Sequence, residues 1–156
     1  MPNGFYYSHS GSLITLMPGS ILDIQGQMTV NGNAVAASAT FSVAAGSANI
    51  CDVTVTVVDS FGTAIAAVHN IDLWLSDAST GAGLTGTTAS GTVTAASGGG
   101  AVYATHTAKK ALRVQTKADG TFVLEITDTA KTGFYVAVAV AGRAVVSSQL
   151  VTGSYG

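Results

Sequence analysis

Leu112-Arg113-Val114-Gln115-Thr116-Lys117-Ala118-Asp119-Gly120-Thr121-Phe122-Val123-Leu124-Glu125-Ile126 places an apolar residue at every second position on both sides of an Asp-Gly turn. Period-two apolarity marks strands with one face in a core. Leu112 and Val114 must face that core together with Phe122, Leu124 and Ile126. A two-residue Asp119-Gly120 loop would set Gln115 opposite Leu124 and turn a polar file inward. A three-residue loop, Ala118-Asp119-Gly120, pairs Val114 with Leu124 and Leu112 with Ile126, with Gly120 in the left-handed position of a bulged turn. A slip of one would turn every apolar side chain outward, so register decides for three residues. This hairpin brings Arg113 opposite Glu125, an ion pair worth at most about 1 kcal/mol if exposed.

The same alternation extends outward from this stretch. Ile71, Leu73 and Leu75 share one face, while Asp72, Trp74 and Ser76 share the other. Phe134, Val136, Val138 and Val140 form another apolar file, and Cys51 points the same way as Val53, Val55 and Val57. Cys51 is the only cysteine, which excludes an internal disulfide and reads as a small buried hydrophobe. About six or seven such strands between residues 50 and 152 predict an antiparallel, immunoglobulin-like β-sandwich. The Gly81–Gly100 stretch, rich in Gly, Ser, Thr and Ala, reads as a long loop or a loosely specified edge hairpin. A phosphate cradle would need a Lys-Ser/Thr after the glycines, and none follows.

Upstream the chemistry changes. The first basic residue is Lys109, and residues 1–50 carry one acid, Asp23. A solvated disordered arm needs charge or strong polarity, and this one has neither. It holds short apolar clusters instead: Leu13-Ile14-Thr15-Leu16, Ile21-Leu22-Asp23-Ile24, Met28-Thr29-Val30 and Phe41-Ser42-Val43. Asn31-Gly32 supplies the two positive-φ positions of a type I′ turn, so Val30 pairs with Asn33 and Met28 with Val35. The boundary is placed at Ala44–Asn49, giving an anchoring and oligomerisation arm over residues 1–49 and a sandwich over 50–156. Another protein chain is expected to cover the arm's strands. Leu13, Leu16, Ile21, Leu22, Ile24, Met28 and Val30 are the assembly-interface candidates, and Trp74 joins them because tryptophan is enriched at subunit contacts. The bland reading of Trp74 is that it lies under a loop or an adjacent strand.

Charged residues make up 9% of the 156, against about 25% in an ordinary domain. A net charge of −2 gives no reason to expect a nucleic acid or anionic membrane as main partner. The mean hydropathy of +0.45 fits a surface largely covered in an oligomer or a particle. No secretory signal is visible at the start, and the longest β-like apolar run, Tyr135–Ala141, is far short of the roughly 20 residues that span a bilayer.

Candidate chemistry is sparse. His9, His69 and His106 have no metal-ligand spacing, and a Ser-His-Asp set assembled from Ser60 or Ser76 with His69 and Asp72 is a chance combination in a serine-rich chain. Asp59, Asp77, Asp119 and Asp128 sit at turns, where Asp caps its own backbone, and they lack the dense spacing of a calcium loop. Lys109, Arg113 and Lys117 fall at even offsets and read as one solvated outer face, or as steering toward an acidic partner surface.

Four phrases carry a family resemblance. Pro18-Gly19-Ser20-Ile21-Leu22-Asp23-Ile24-Gln25-Gly26 resembles a phrase near the start of phage head-fibre and decoration proteins. The run from Asp72 to Thr85, Lys110-Ala111-Leu112-Arg113-Val114-Gln115-Thr116, and the run from Asp128 to Ala137 resemble segments of tailed-bacteriophage structural proteins. Val53 to Ile65 and Lys117-Ala118-Asp119-Gly120-Thr121-Phe122 are similar to bacterial immunoglobulin-like and transthyretin-like domains, which bears on fold rather than function. The resemblance implies a non-enzymatic head decoration or head-fibre subunit, located in the virion and made in the host cytoplasm. It would need no cofactor, form a homotrimer, and attach through the arm to virion proteins such as the major capsid protein. The alternative is an immunoglobulin-like adhesion module that binds host-surface carbohydrate. That reading needs an exposed aromatic cluster, and Tyr103 and Tyr135 are scattered.

Overall fold

A computed structural model describes residues 29–30 and 33–156. Among these, Thr29–Val30 (β1) and Asn33–Ala34 (β2) form a small antiparallel ladder, pairing Val30 with Asn33 and Thr29 with Ala34. The pairing of Val30 with Asn33 is the one Asn31-Gly32 demands. Met28 lies outside the described residues. The remaining strands are Ser38–Ala45 (β3), Ile50–Val58 (β4), Asn70–Ser76 (β5), Val93–Ala95 (β6), Ala101–Thr107 (β7), Ala111–Gln115 (β8), Thr121–Thr127 (β9), Tyr135–Val140 (β10) and Arg143–Val146 (β11). They build two antiparallel sheets, β3-β4-β9-β6 and β11-β10-β5-β8-β7. One apolar core draws on both.

Four strands facing five in this order reproduce the array of a variable-type immunoglobulin sandwich. The middle of the chain takes a different route through it. After β5 it crosses to the far edge of the opposite sheet as β6, crosses back to the other sheet's outer edge as β7, and then returns inward as β8.

The core files read from alternation are buried: Leu73, Leu75, Leu112, Val114, Phe122, Leu124, Phe134, Val136 and Val138 are at most 2% exposed, and Ile71 and Val140 at the ends of their files are 5% and 4% exposed. The hairpin joining two of those runs is not formed. β8 pairs with β5 and β7, whereas β9 pairs with β4 and β6, so Leu112 and Val114 face Phe122, Leu124 and Ile126 across the core rather than beside them. Alternation states which face of a strand is apolar and is blind to which sheet supplies its neighbours. The turn itself is as expected: Gly120 has φ 80°, its N–H donates to the Lys117 carbonyl, and Asp119 Oδ1 accepts from Thr121 N–H at 2.9 Å. A Cβ on Gly120 would run into the Ile65 carbonyl oxygen, so the turn passes tightly under the β4–β5 connection. Consequently Arg113 lies opposite Asp72, with Nε 3.9 Å from Oδ1, and Glu125 sits between Asp52 and Thr94.

The sandwich also begins earlier than residue 50. β3 pairs with β4 in unbroken register from Ser38–Val58 to Ala45–Cys51, and Ala39 is buried in the shared core. The cluster Phe41-Ser42-Val43 is therefore sheet, and its cover on one side is the chain's own β4. The Gly81–Gly100 stretch is largely loop, with β6 as the short edge strand at its centre.

Candidate functional site

The registers give the sandwich two distinct ends. One carries the entry to β3 at Ala37–Ser38, the β4–β5 connection over residues 59–69, the Lys117–Gly120 turn and the Ala141-Gly142 turn. The other carries residues 46–49, 77–92, 108–110 and 128–134. The chain therefore enters β3 at the first of these ends, where Ala37 N–H donates to the Val58 carbonyl at 2.9 Å.

At the far end, polar groups lock the loops. Lys109 Nζ reaches the carbonyls of Ala89 and Ser90, and Lys110 Nζ those of Thr85 and Gly86, at 2.9–3.4 Å. Asp77 accepts from the Thr85 hydroxyl and the Gly86 N–H, and these bonds hold its carboxyl below the usual range. Burial would raise Asp128, but hydrogen bonds from Thr132 and Ser90 bring it to about 2. Asp59 and Asp119 likewise cap their own turns; Asp119, held chiefly by the Thr121 hydroxyl and N–H, also sits at about 2. The four turn aspartates thus serve backbone geometry, as their positions in the sequence imply.

The expected basic face is dispersed. Lys109 lies in the β7–β8 turn with φ 58°, Arg113 points outward from β8, and Lys117 pairs with Asp119 at 3.1 Å beyond the end of β8. One cluster was not expected: Asp72 Oδ1 lies 3.4 Å from His106 Nε2 and 3.9 Å from Arg113 Nε. A cross-strand neighbour two strands away leaves no trace in sequence spacing.

Trp74 lies under the loop at Gly81. It is half-buried on the outer face of the five-stranded sheet, and its indole N–H donates to the Gly81 carbonyl at 2.8 Å. Gly81 crosses so close that a Cβ there would meet Val146 and Ala137. The other assembly candidates, Leu13, Leu16, Ile21, Leu22, Ile24 and Met28, lie outside the described residues, as does the side chain of Val30.

His69 and Ser76 occupy opposite ends of β5 and do not meet. The His69 N–H donates to the Thr116 hydroxyl and the His69 carbonyl accepts from the Thr116 N–H, while its Nε2 is buried without a partner and burial lowers its pKa. Cys51 is fully buried, and its thiol is pushed up to about 11 by that burial and by Asp52. Tyr103 is 74% exposed on β7, while Tyr135 is half-buried on β10, three strands away.

The four sheet edges differ sharply. Natural edges are blunted by short strands, bulges or charges. β6 is three residues long, β7 shifts register twice, and β11 is four residues opening on Arg143. β3 has no such device: its eight residues hold an unbroken register and carry no charge. Its core-side file is buried at Ala39, half-buried at Phe41 and 37% exposed at Val43. An open groove of about 400 Å³ runs beside its start, lined in part by Ser38, Thr40, Asp59, Gly62 and Arg143. This edge, next to the root of the arm, is the candidate docking surface. No protein-family model, curated protein or solved structure matches the chain.

Proposed function

We propose that this chain is a structural subunit of a tailed-bacteriophage virion, a head decoration or head-fibre protein, that attaches through its N-terminal arm and projects the sandwich outward. The polarity of the molecule carries the reading. The apolar-clustered arm, with Asp23 as its one charge, joins one end of the sandwich, and the loops braced by Lys109, Lys110 and Asp128 form the opposite end. An arm of this composition gains affinity by taking its apolar side chains out of water and its backbone groups into strand pairing. With Asp23 as the only charge before residue 50, attachment through the arm should be insensitive to salt. A homotrimer, with the major capsid protein as partner, is the assembly proposed.

The test mixes undecorated capsids with the full-length protein and with a variant lacking residues 1–28, at low and high ionic strength. Salt-independent binding of the full chain and none of the truncated one is expected. Binding that survives the truncation, or that high salt abolishes, refutes attachment through the arm.

A further inference from the structure

We propose that residues Ile21–Met28 dock as an additional strand along the free edge of β3 in the same chain, extending the four-stranded sheet to five. The β1–β2 ladder delivers the chain to this edge. Thr29 lies opposite Ala34, four residues before Ser38, so the segment leading into β1 starts beside the start of β3.

Carried on without a slip, the register of β1 and β2 sets Ile24 opposite Ala39, Asp23 opposite Thr40 and Leu22 opposite Phe41. Paired residues share a face. Leu22 and Ile24 then join the core-side file of Phe41 and Ala39, both of which pack into the core. Asp23 falls on the other face with exposed Thr40, and Thr40 and Arg143 line the same groove. Among the described residues Arg143 has no ion pair, and Asp23 is the only charge in the arm. The second charge of the groove, Asp59, is buried and spends Oδ1 on the N–H groups of Phe61 and Thr63. Ile21 is the one apolar residue left on the outer face, beside Ser42. A slip of one residue would turn Asp23 to the core side and Leu22 and Ile24 to water, so burial of the apolar pair favours the unshifted register.

This docking supplies β3 with the protection its sequence lacks, since the unblunted edge becomes an interior strand. It also divides the arm. Pro18-Gly19 interrupts strand pairing just upstream, so residues 1–17, with Leu13-Ile14-Thr15-Leu16, remain to reach a partner. The docking does not rest on the virion reading, and it narrows the attaching segment if that reading holds.

The test uses the full-length protein with two cysteines introduced, Asp23→Cys with Thr40→Cys, under mild oxidation. An intramolecular disulfide is expected, seen by mass spectrometry on a protein that stays single-chain on a non-reducing gel. The offset pair Asp23→Cys with Ser42→Cys should link at least tenfold more slowly. In the unmodified chain, hydrogen exchange should show the outward-facing β3 amides protected to the same degree as those of β4. Disulfide-linked dimers would assign the edge to a second copy and overturn the proposal. Absence of the link, preference for the Ser42 pair, or unprotected β3 amides would overturn it as well. Capsid binding decides the virion reading separately: a chain that forms the Asp23–Thr40 link and fails to bind capsids keeps this inference and loses that one.

Discussion

Replacing Asp128 with Asn should destabilise the protein by about 2–3 kcal/mol at neutral pH and by almost nothing near pH 2. Asp128 is 1% exposed, with Oδ1 accepting from Ser90 N–H at 3.1 Å and Ala130 N–H at 3.4 Å, and Oδ2 from Thr132 N–H at 2.8 Å. Burial pushes its pKa up, yet these donors bring it from 3.8 to about 2. At about 1.4 kcal/mol per tenfold change in proton affinity, this lowering corresponds to roughly 2–3 kcal/mol favouring the folded anion. The folded pKa lies below the unfolded one. The contribution is therefore complete above about pH 4 and lost as the pH falls through about 2. Hydrogen bonds also lower Asp119 and Asp77, so the informative quantity is the difference between wild type and Asp128→Asn, with their contributions cancelled. Urea unfolding followed through the single tryptophan, Trp74, at neutral pH, near pH 4 and near pH 2.5 measures it. At neutral pH the variant should melt roughly 6–10 °C lower. A loss below about 0.5 kcal/mol at neutral pH, or a loss unchanged down to pH 2, would refute the assignment of the stabilisation to the carboxylate.

Two further substitutions probe the core and the turns. Phe122→Ala removes a fully buried ring at the centre of the four-stranded sheet and should cost roughly 3–5 kcal/mol in chemical unfolding; a loss below about 1 kcal/mol would contradict the packing. Ala141 and Gly142 have φ 50° and 76°, the two positions of a type I′ turn, so Ala141→Gly should raise the melting temperature by relieving about 1 kcal/mol of left-handed strain; an unchanged or lower value would contradict that turn geometry.

Much of the fold was legible because burial on one face leaves a period-two record. The core residues named from alternation are buried, and Asn31-Gly32 correctly sets Val30 against Asn33. What the record omits is sheet membership. β8 and β9 turn their apolar files toward each other whether they are neighbours in one sheet or partners across the core, and only the crossing at Lys117–Gly120 distinguishes the two. The error carried over to Arg113, which meets Asp72 instead of Glu125. It also carried over to the supposed basic face, because even spacing defines a face only while the chain remains one strand. Lys109 and Lys117 both lie beyond the ends of β8.

Charge explains why the candidate site was harder to read than the core. Lys109 and Lys110 bind loop carbonyls, Lys117 pairs with Asp119, and Arg113 lies beside Asp72. Among the described residues this leaves Lys131 and Arg143 without an ion pair or a side-chain hydrogen bond, and Arg143 is the one in the groove beside β3. A cation that is spent on local carbonyls cannot steer a partner, and nothing in residue type tells a spent lysine from a free one. An edge strand is equally silent. β3 resembles any half-buried strand until its three counterparts are seen to carry the bulges, brevity or charge that it lacks. The site is thus defined by contrast among distant elements, which a chain read in linear order does not display.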